Sequence, residues 1–266
     1  MHQLKFMRRR LGFLLLPLLL IVAAGSWYLF DPGFRAGQEL AASSDSLPQD
    51  AFERRVRDYL VTNPEVIVEA MRSLERKQQE AEQTDALTAL ATNRDELLNS
   101  PESPVGGNPQ GDVTLVEFFD YNCSYCRQVA PTMMTAEEGD PQLRIVYKEF
   151  PILGPNSIIA AKAALAANRQ NAYPRFHKAM MQVSGTADEG KVVAIAEEIG
   201  LDVEQLRTDM ADPAIDAEIE RNLALAQALR INGTPGFVIG EEILRGATDL
   251  QTMQSLIAQA RAGSDR

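Results

Sequence analysis

Cys123 and Cys126 are the only cysteines among 266 residues, and they stand three positions apart in FFDYNCSYCRQ. A C-x-x-C pair supports four kinds of chemistry: half of a zinc site, a structural staple, a copper(I) clamp, or a dithiol/disulfide redox couple. A structural zinc site takes four ligands. The histidines that could complete one are His2, at the extreme N-terminus, and His177, inside the helical pattern YPRFHKAM. A papain-like Cys/His nucleophile fails on the same shortage, and His177 reads as a surface or boundary residue rather than a catalyst. One short staple adds little to a chain otherwise without cysteine. Two soft thiolates suit copper(I), and that reading stays open. The redox reading has positive support. The pair follows a β-rich run and opens a helical one, so Cys123 falls at a helix N-terminus, where free N–H groups and the macrodipole favour a thiolate. Cys126, one turn deeper, is placed to attack a mixed disulfide on Cys123 and release the partner chain.

Glu117 is the second residue with chemical content. It interrupts the apolar run VTLVEFF six residues before Cys123, and burying a charged acid there is costly. It is either a strand-edge acid facing water or a buried acid of raised pKa that moves a proton to and from Cys126.

The elements that position these groups follow from the chain on either side. The stretch DVTLVEFFDYN reads as a strand, RQVAPTMMTAEE as a helix and LRIVYKEFPI as a second strand. From Asn156 to about Arg230 nearly everything has helical spacing. FVIGEEILRG reads as a tight hairpin with Gly240 in its turn, and DLQTMQSLIAQARA as a closing helix. The order is strand, helix, strand, helical block, hairpin, helix: a small α/β sheet with a helical insertion.

Upstream, NSPESPVGGNPQG (99–111) has no apolar periodicity and reads as a domain boundary. Before it lie two helical patterns. The first places Phe52, Val56, Tyr59 and Leu60 on one face. The second runs from Pro64, with Asn63 as its N-cap, to about Asn99. Its thin apolar stripe, Ile67, Met71 (or Ala70), Leu74 and Ala81, suits either a charged stalk or a seam between copies of the chain. Residues 31–49 are small, polar and Pro/Gly-bearing, a tether. Lys5, Arg8, Arg9 and Arg10 precede an uncharged run from Leu11 to Phe30, an export signal long enough to span a bilayer. We read it as an uncleaved inner-membrane anchor, with cleavage after Val22-Ala23-Ala24 as the alternative. The domains expected are 1–30 stub and anchor, 31–49 linker, 50–99 helical segment and 100–266 α/β domain. The net charge of −11 excludes an electrostatic grip on nucleic acid.

Taken together, VEFFDYNCSYC, KEFPILGPNS and GTPGFVIG resemble the exported DsbA-like thioredoxin-fold oxidoreductases over about residues 105–262. The resemblance implies a thioredoxin-like fold and a thiol:disulfide interchange activity that needs no cofactor or metal. It implies that Pro235 is a cis-proline lying against the cysteines, that Pro131 kinks the active-site helix, and that a buried acid occupies the Glu117 position. Thr234, Pro235, Ser124 and Tyr125 would contact the substrate chain. The helical segment resembles the oligomerisation segment of ScsC-type proteins. Ser124 and Tyr125 bring no positive charge between the cysteines, which makes for a less oxidising disulfide. Thr234 stands where isomerases and reductases of the family tend to have threonine. The expected function is a periplasmic, homo-oligomeric disulfide isomerase or reductase. Its partners would be unfolded or misoxidised exported proteins and a membrane electron donor or acceptor of the Dsb/Scs type. A DsbA-like oxidase and a copper(I)-binding or chaperone module are the alternatives.

Overall fold

The computed structural model describes residues 48–264. The basic stub, the 11–30 run with its candidate cleavage site and nearly all of the 31–49 tether lie outside the described residues. Among the described residues no helix is long and apolar enough to cross a membrane. The chain divides between Glu75 and Arg76 into two compact units.

The first unit contains α1 (Gln49–Thr62) and the start of α2 (Glu65–Thr92). Asn63 does not cap the start of α2 as its position suggests. Its side-chain amide donates to Tyr59 O at 2.9 Å, so it closes the end of α1 instead. No residue of α1 is buried. Phe52, Val56, Leu60, Val61, Pro64 and Ile67 line a groove shared by the two helices.

The second unit is built on a five-stranded sheet in the order β1-β3-β2-β4-β5. Its strands are β1 (Val105–Gly107), β2 (Val113–Phe119), β3 (Leu143–Glu149), β4 (Gly236–Ile239) and β5 (Glu242–Arg245). β2 and β3 pair in parallel and the other neighbours antiparallel. Alternation along β2 sends Val113, Leu115 and Phe119 to one face and Val116 and Phe118 to the other, each into its own apolar core. The first core is closed by α4 (Ser124–Gly139), by α10 (Leu250–Ser264) and by helices of an insertion. That insertion comprises α5 (Pro155–Arg169), α6 (Tyr173–Met181), α7 (Glu189–Glu198), α8 (Val203–Met210) and α9 (Pro213–Ala228). This is the thioredoxin-like fold with a helical insertion. Gly240, at φ 60°, makes the hairpin turn where the sequence places it.

Two expectations change. The second helical pattern is not continuous to residue 99: it breaks at Asn93 and resumes as α3 (Arg94–Asn99), and Leu90 and Leu97 bury into the second core. The 99–111 segment, read as a boundary, contains edge strand β1, whose regularity comes from pairing with β3 rather than from any pattern of its own.

Lys148 explains how β3 carries a charge into that second core. It is fully buried, and its Nζ donates to Glu96 O and to Ser103 Oγ, each at 2.7 Å. Ser103 Oγ in turn donates to Glu218 Oε1 at 2.9 Å, and Arg221 holds Glu218 Oε2 at 2.6 Å. A buried ammonium is tolerable when its donors are met in this way.

Candidate active site around the cysteine pair

β2 delivers its last residues to the edge of the first core, and the chain turns there into α4. Cys123 occupies the N-cap position of α4, and its carbonyl accepts from Arg127 N at 3.2 Å. The helix period then carries Cys126 inward: Cys126 is 0% exposed and Cys123 6%. Both are free thiols. Ser124 and Tyr125, between them, face solvent, Tyr125 at 61% exposure. Pro131 lies inside α4, where it removes one backbone donor from the helix.

The loop before β4 meets the pair. The Thr234–Pro235 bond is cis, and Cys123 Sγ donates to Thr234 O at 3.3 Å. Pro235 is buried and Thr234 half-buried, so the structure brings Cys123, Thr234 and Pro235 together at one edge.

Glu117 is 2% exposed and shares the face of Leu115 and Phe119, so the strand-edge reading fails. Burial pushes its pKa up to about 8. Burial also pushes the Cys126 thiol far above its ordinary value, with the Glu117 charge and then Cys123 adding to the rise and a backbone hydrogen bond from Asp120 opposing it. The deeper sulfur therefore ionises only with help, and the nearby acid titrates in the range where it can take or give a proton.

The residues just before Cys123 are each tied down. Asp120 is buried and accepts from three backbone N–H groups. Asn122 Oδ1 accepts from Ala187 N at 2.8 Å, and its Nδ2 donates to Ser157 Oγ at 3.2 Å. Arg127 Nε donates to Tyr121 O at 2.7 Å and its Nη1 to Gly185 O at 2.6 Å. Tyr121 sends its hydroxyl inward to Glu149 Oε1 at 3.2 Å and lies 3.0 Å from His177 Nδ1. Tyr173 donates to the same Glu149 oxygen at 2.7 Å. Glu149 is 1% exposed, and its Oε2 has no hydrogen-bond partner among the described residues. Burial holds its carboxyl well above the usual range. His177 sits at the boundary of the core, as the sequence suggests, but packs among the rings of Phe119, Tyr121, Tyr147 and Tyr173. Burial lowers its pKa to about 3, so it stays neutral.

Asp120, Glu149 and the tyrosines were not singled out from sequence. Glu149 carries the same signal that marks Glu117, an acid inside an apolar strand. Asp120 carries none, because an aspartate before a turn is ordinary. Among the described residues no cluster of three or more His, Cys, Asp or Glu could hold a metal ion.

Residues 114–258 match the model of the DSBA-like thioredoxin domain, and residues 49–81 match that of the copper resistance protein ScsC N-terminal domain. A thioredoxin-like oxidoreductase from Silicibacter pomeroyi is 49% identical, covering 64% of this chain and 98% of its own, with a TM-score of 0.63. A linker-deletion mutant of Proteus mirabilis ScsC is 28% identical, covering 83% of this chain and 100% of its own, with a TM-score of 0.64. The Na(+)/H(+) antiporter NhaA of Herminiimonas arsenicoxydans is 30% identical over 174 residues, and the match covers 63% of this chain but 28% of the antiporter.

Proposed function

The chain belongs to the DsbA-like thioredoxin family, and on that footing we propose that it is a periplasmic thiol:disulfide interchange protein acting on protein substrates. The observation that carries this reading is the asymmetry of the pair: Cys123 at the N-cap of α4 beside the cis-Pro235 loop, and Cys126 sealed beneath it near Glu117. Cys123 thiolate attacks one sulfur of a client disulfide. A Cys123–client bond forms, and the other client sulfur leaves as a thiolate and takes a proton from water. Two outcomes follow. A different client thiolate attacks the mixed disulfide, which moves the client's bond and returns Cys123 thiolate with no net redox change. Otherwise Cys126 gives its proton to Glu117 and attacks Cys123, which leaves the client reduced and the pair oxidised.

We favour the isomerase or reductase direction, with a membrane electron donor returning the pair to thiols. Uncharged Ser124 and Tyr125, Thr234 before the cis-proline and the ScsC-like segment at 49–81 support that direction over a DsbA-like oxidase. The exposed apolar residues of α1 and α2, including Phe52, Val56, Ile67, Met71 and Leu74, support assembly into a homo-oligomer through residues 50 to about 98. Tyr125, Ile152 and Leu153 are exposed apolar groups on the active-site turn and the loop tied to it, suited to an unfolded client. The basic-then-apolar N-terminus supports export, with the 11–30 run as inner-membrane tether. A second reading, copper(I) binding, draws on the matched copper-resistance segment and the two free thiols.

Insulin reduction, with and without added Cu(I), separates these readings. Turnover by wild type and none by Cys123→Ala supports interchange. A protein that binds Cu(I) yet reduces no insulin makes the thioredoxin scaffold a binding module.

A further inference from the structure

The backbone bond from Phe150 N to Phe119 O, 2.9 Å, continues the β2–β3 ladder to its end. Beyond it a side chain takes over. Asp120 Oδ2 accepts from Ile152 N and from Leu153 N, each at 2.9 Å, while Oδ1 accepts from Asn122 N at 2.8 Å. The Asp120 carbonyl accepts from Cys123 N at 3.0 Å. One residue, 1% exposed, thus ties the turn that carries the attacking sulfur to the loop 151–154. That loop presents large apolar groups to solvent: Ile152 is 39% exposed and Leu153 52%. Side chains so exposed do little to hold their own backbone in place, so its position depends on the hydrogen bonds beneath it.

We propose that Asp120 is a specificity-determining positioning residue: it holds Ile152 and Leu153 at a set offset from Cys123, so that disulfides flanked by apolar residues are exchanged in preference to those with polar flanks. The proposal rests on the reading of the protein as a disulfide-interchange enzyme and assigns selectivity, not chemistry, to the aspartate. Both carboxylate oxygens act as acceptors. An asparagine has one acceptor oxygen, so it must abandon either Asn122 N or the Ile152/Leu153 pair and turn an amide donor toward the N–H groups it leaves. Buried N–H groups do not stay unpaired, and the loop must shift to satisfy them.

The test uses the full-length reduced protein and two short peptides that each carry a mixed disulfide to the same reporter thiol, one with Leu and Val beside the cysteine and one with Ser and Gly. The readout is the ratio of their second-order rate constants. Wild type should favour the apolar peptide, and Asp120→Asn should lower the ratio about tenfold, the scale of losing hydrogen bonds of this kind. Leu153→Ser should lower it similarly, and the double variant should fall no further than either single one, because both act through one contact. A wild-type ratio near one, a ratio unchanged in Asp120→Asn, or additive losses would overturn the proposal. Leu153→Ser, at an exposed position, keeps the test independent of how well Asp120→Asn folds: a ratio unchanged in that variant overturns it as well. A wild type that exchanges neither peptide overturns the interchange reading instead.

Discussion

Two sulfurs three residues apart stand in different surroundings because the helix period buries one and leaves the other at a helix terminus, and the proposed exchange gives each its own step. Cys123→Ala should abolish exchange with client disulfides, and Cys126→Ala should accumulate mixed disulfides with clients, visible as thiol-sensitive adducts on gels. Glu117 adds a pH signature. Its pKa is about 8 in the fold against an ordinary 4.5, so between those values the folded chain keeps a proton that the unfolded chain releases. Stability must therefore fall as pH rises through that window and level off above it, by at most about 1.4 kcal/mol per pH unit. Glu149, raised in the same direction by burial, tilts wild type and variant alike. The comparison isolates Glu117: in urea denaturation at several pH values between the two pKa values, Glu117→Gln should lose less stability than wild type. The same variant should slow release of clients from Cys123 on the order of 100-fold, since the thiol it assists is hard to ionise. Unchanged release kinetics across neutral pH would make Glu117 a bystander.

At the scale of elements, the sheet keeps its charges by giving each a face. Lys148 and Glu149 are neighbours in sequence, yet alternation sends the lysine toward α3 and α9 and the glutamate toward the tyrosines. Ser103→Ala should remove the link between Lys148 and Glu218 and destabilise the fold by about 1–3 kcal/mol in urea, with insulin reduction retained, because this network lies across the sheet from the cysteines. The parts of the fold legible in sequence are those with a strong local pattern. They include VTLVEFF as a strand, the helix opening at the cysteines, the Ala-rich insertion and the hairpin at Gly240. β1 was not legible, since a three-residue strand with two glycines exists only through its neighbour. Nor was the break at Asn93, whose side chain bonds back to Ala89 O at 2.8 Å and leaves no stop signal in the pattern. In the candidate site, cysteine spacing marked Cys123 and Cys126, whereas an acid in an apolar run marked Glu117 only as a candidate, and its burial was implied by the family resemblance rather than by the pattern. Asp120 required the loop it holds, which comes from the far side of β3.

At the scale of the molecule, the exposed apolar residues of α1 and α2 are the surface on which the proposed homo-oligomer rests. An isomerase gains from several active sites sharing one space, because that raises the local thiol concentration. Light scattering of the exported body at micromolar concentration should give a dimer or trimer mass. Removal of the helical residues before the catalytic unit should give a monomer that still reduces insulin but no longer rearranges disulfides. A monomeric mass for the intact body would remove both the oligomer and most of the case for isomerisation. The central claim is that Cys123 exchanges disulfides in client proteins and moves them toward the native set. It is tested most directly by mixing the reduced full-length protein with ribonuclease whose disulfides have been scrambled and following the return of ribonuclease activity. Wild type should restore activity and Cys123→Ala should not; a wild type that leaves the scrambled enzyme inactive, or a Cys123→Ala variant that rescues it, would contradict the claim.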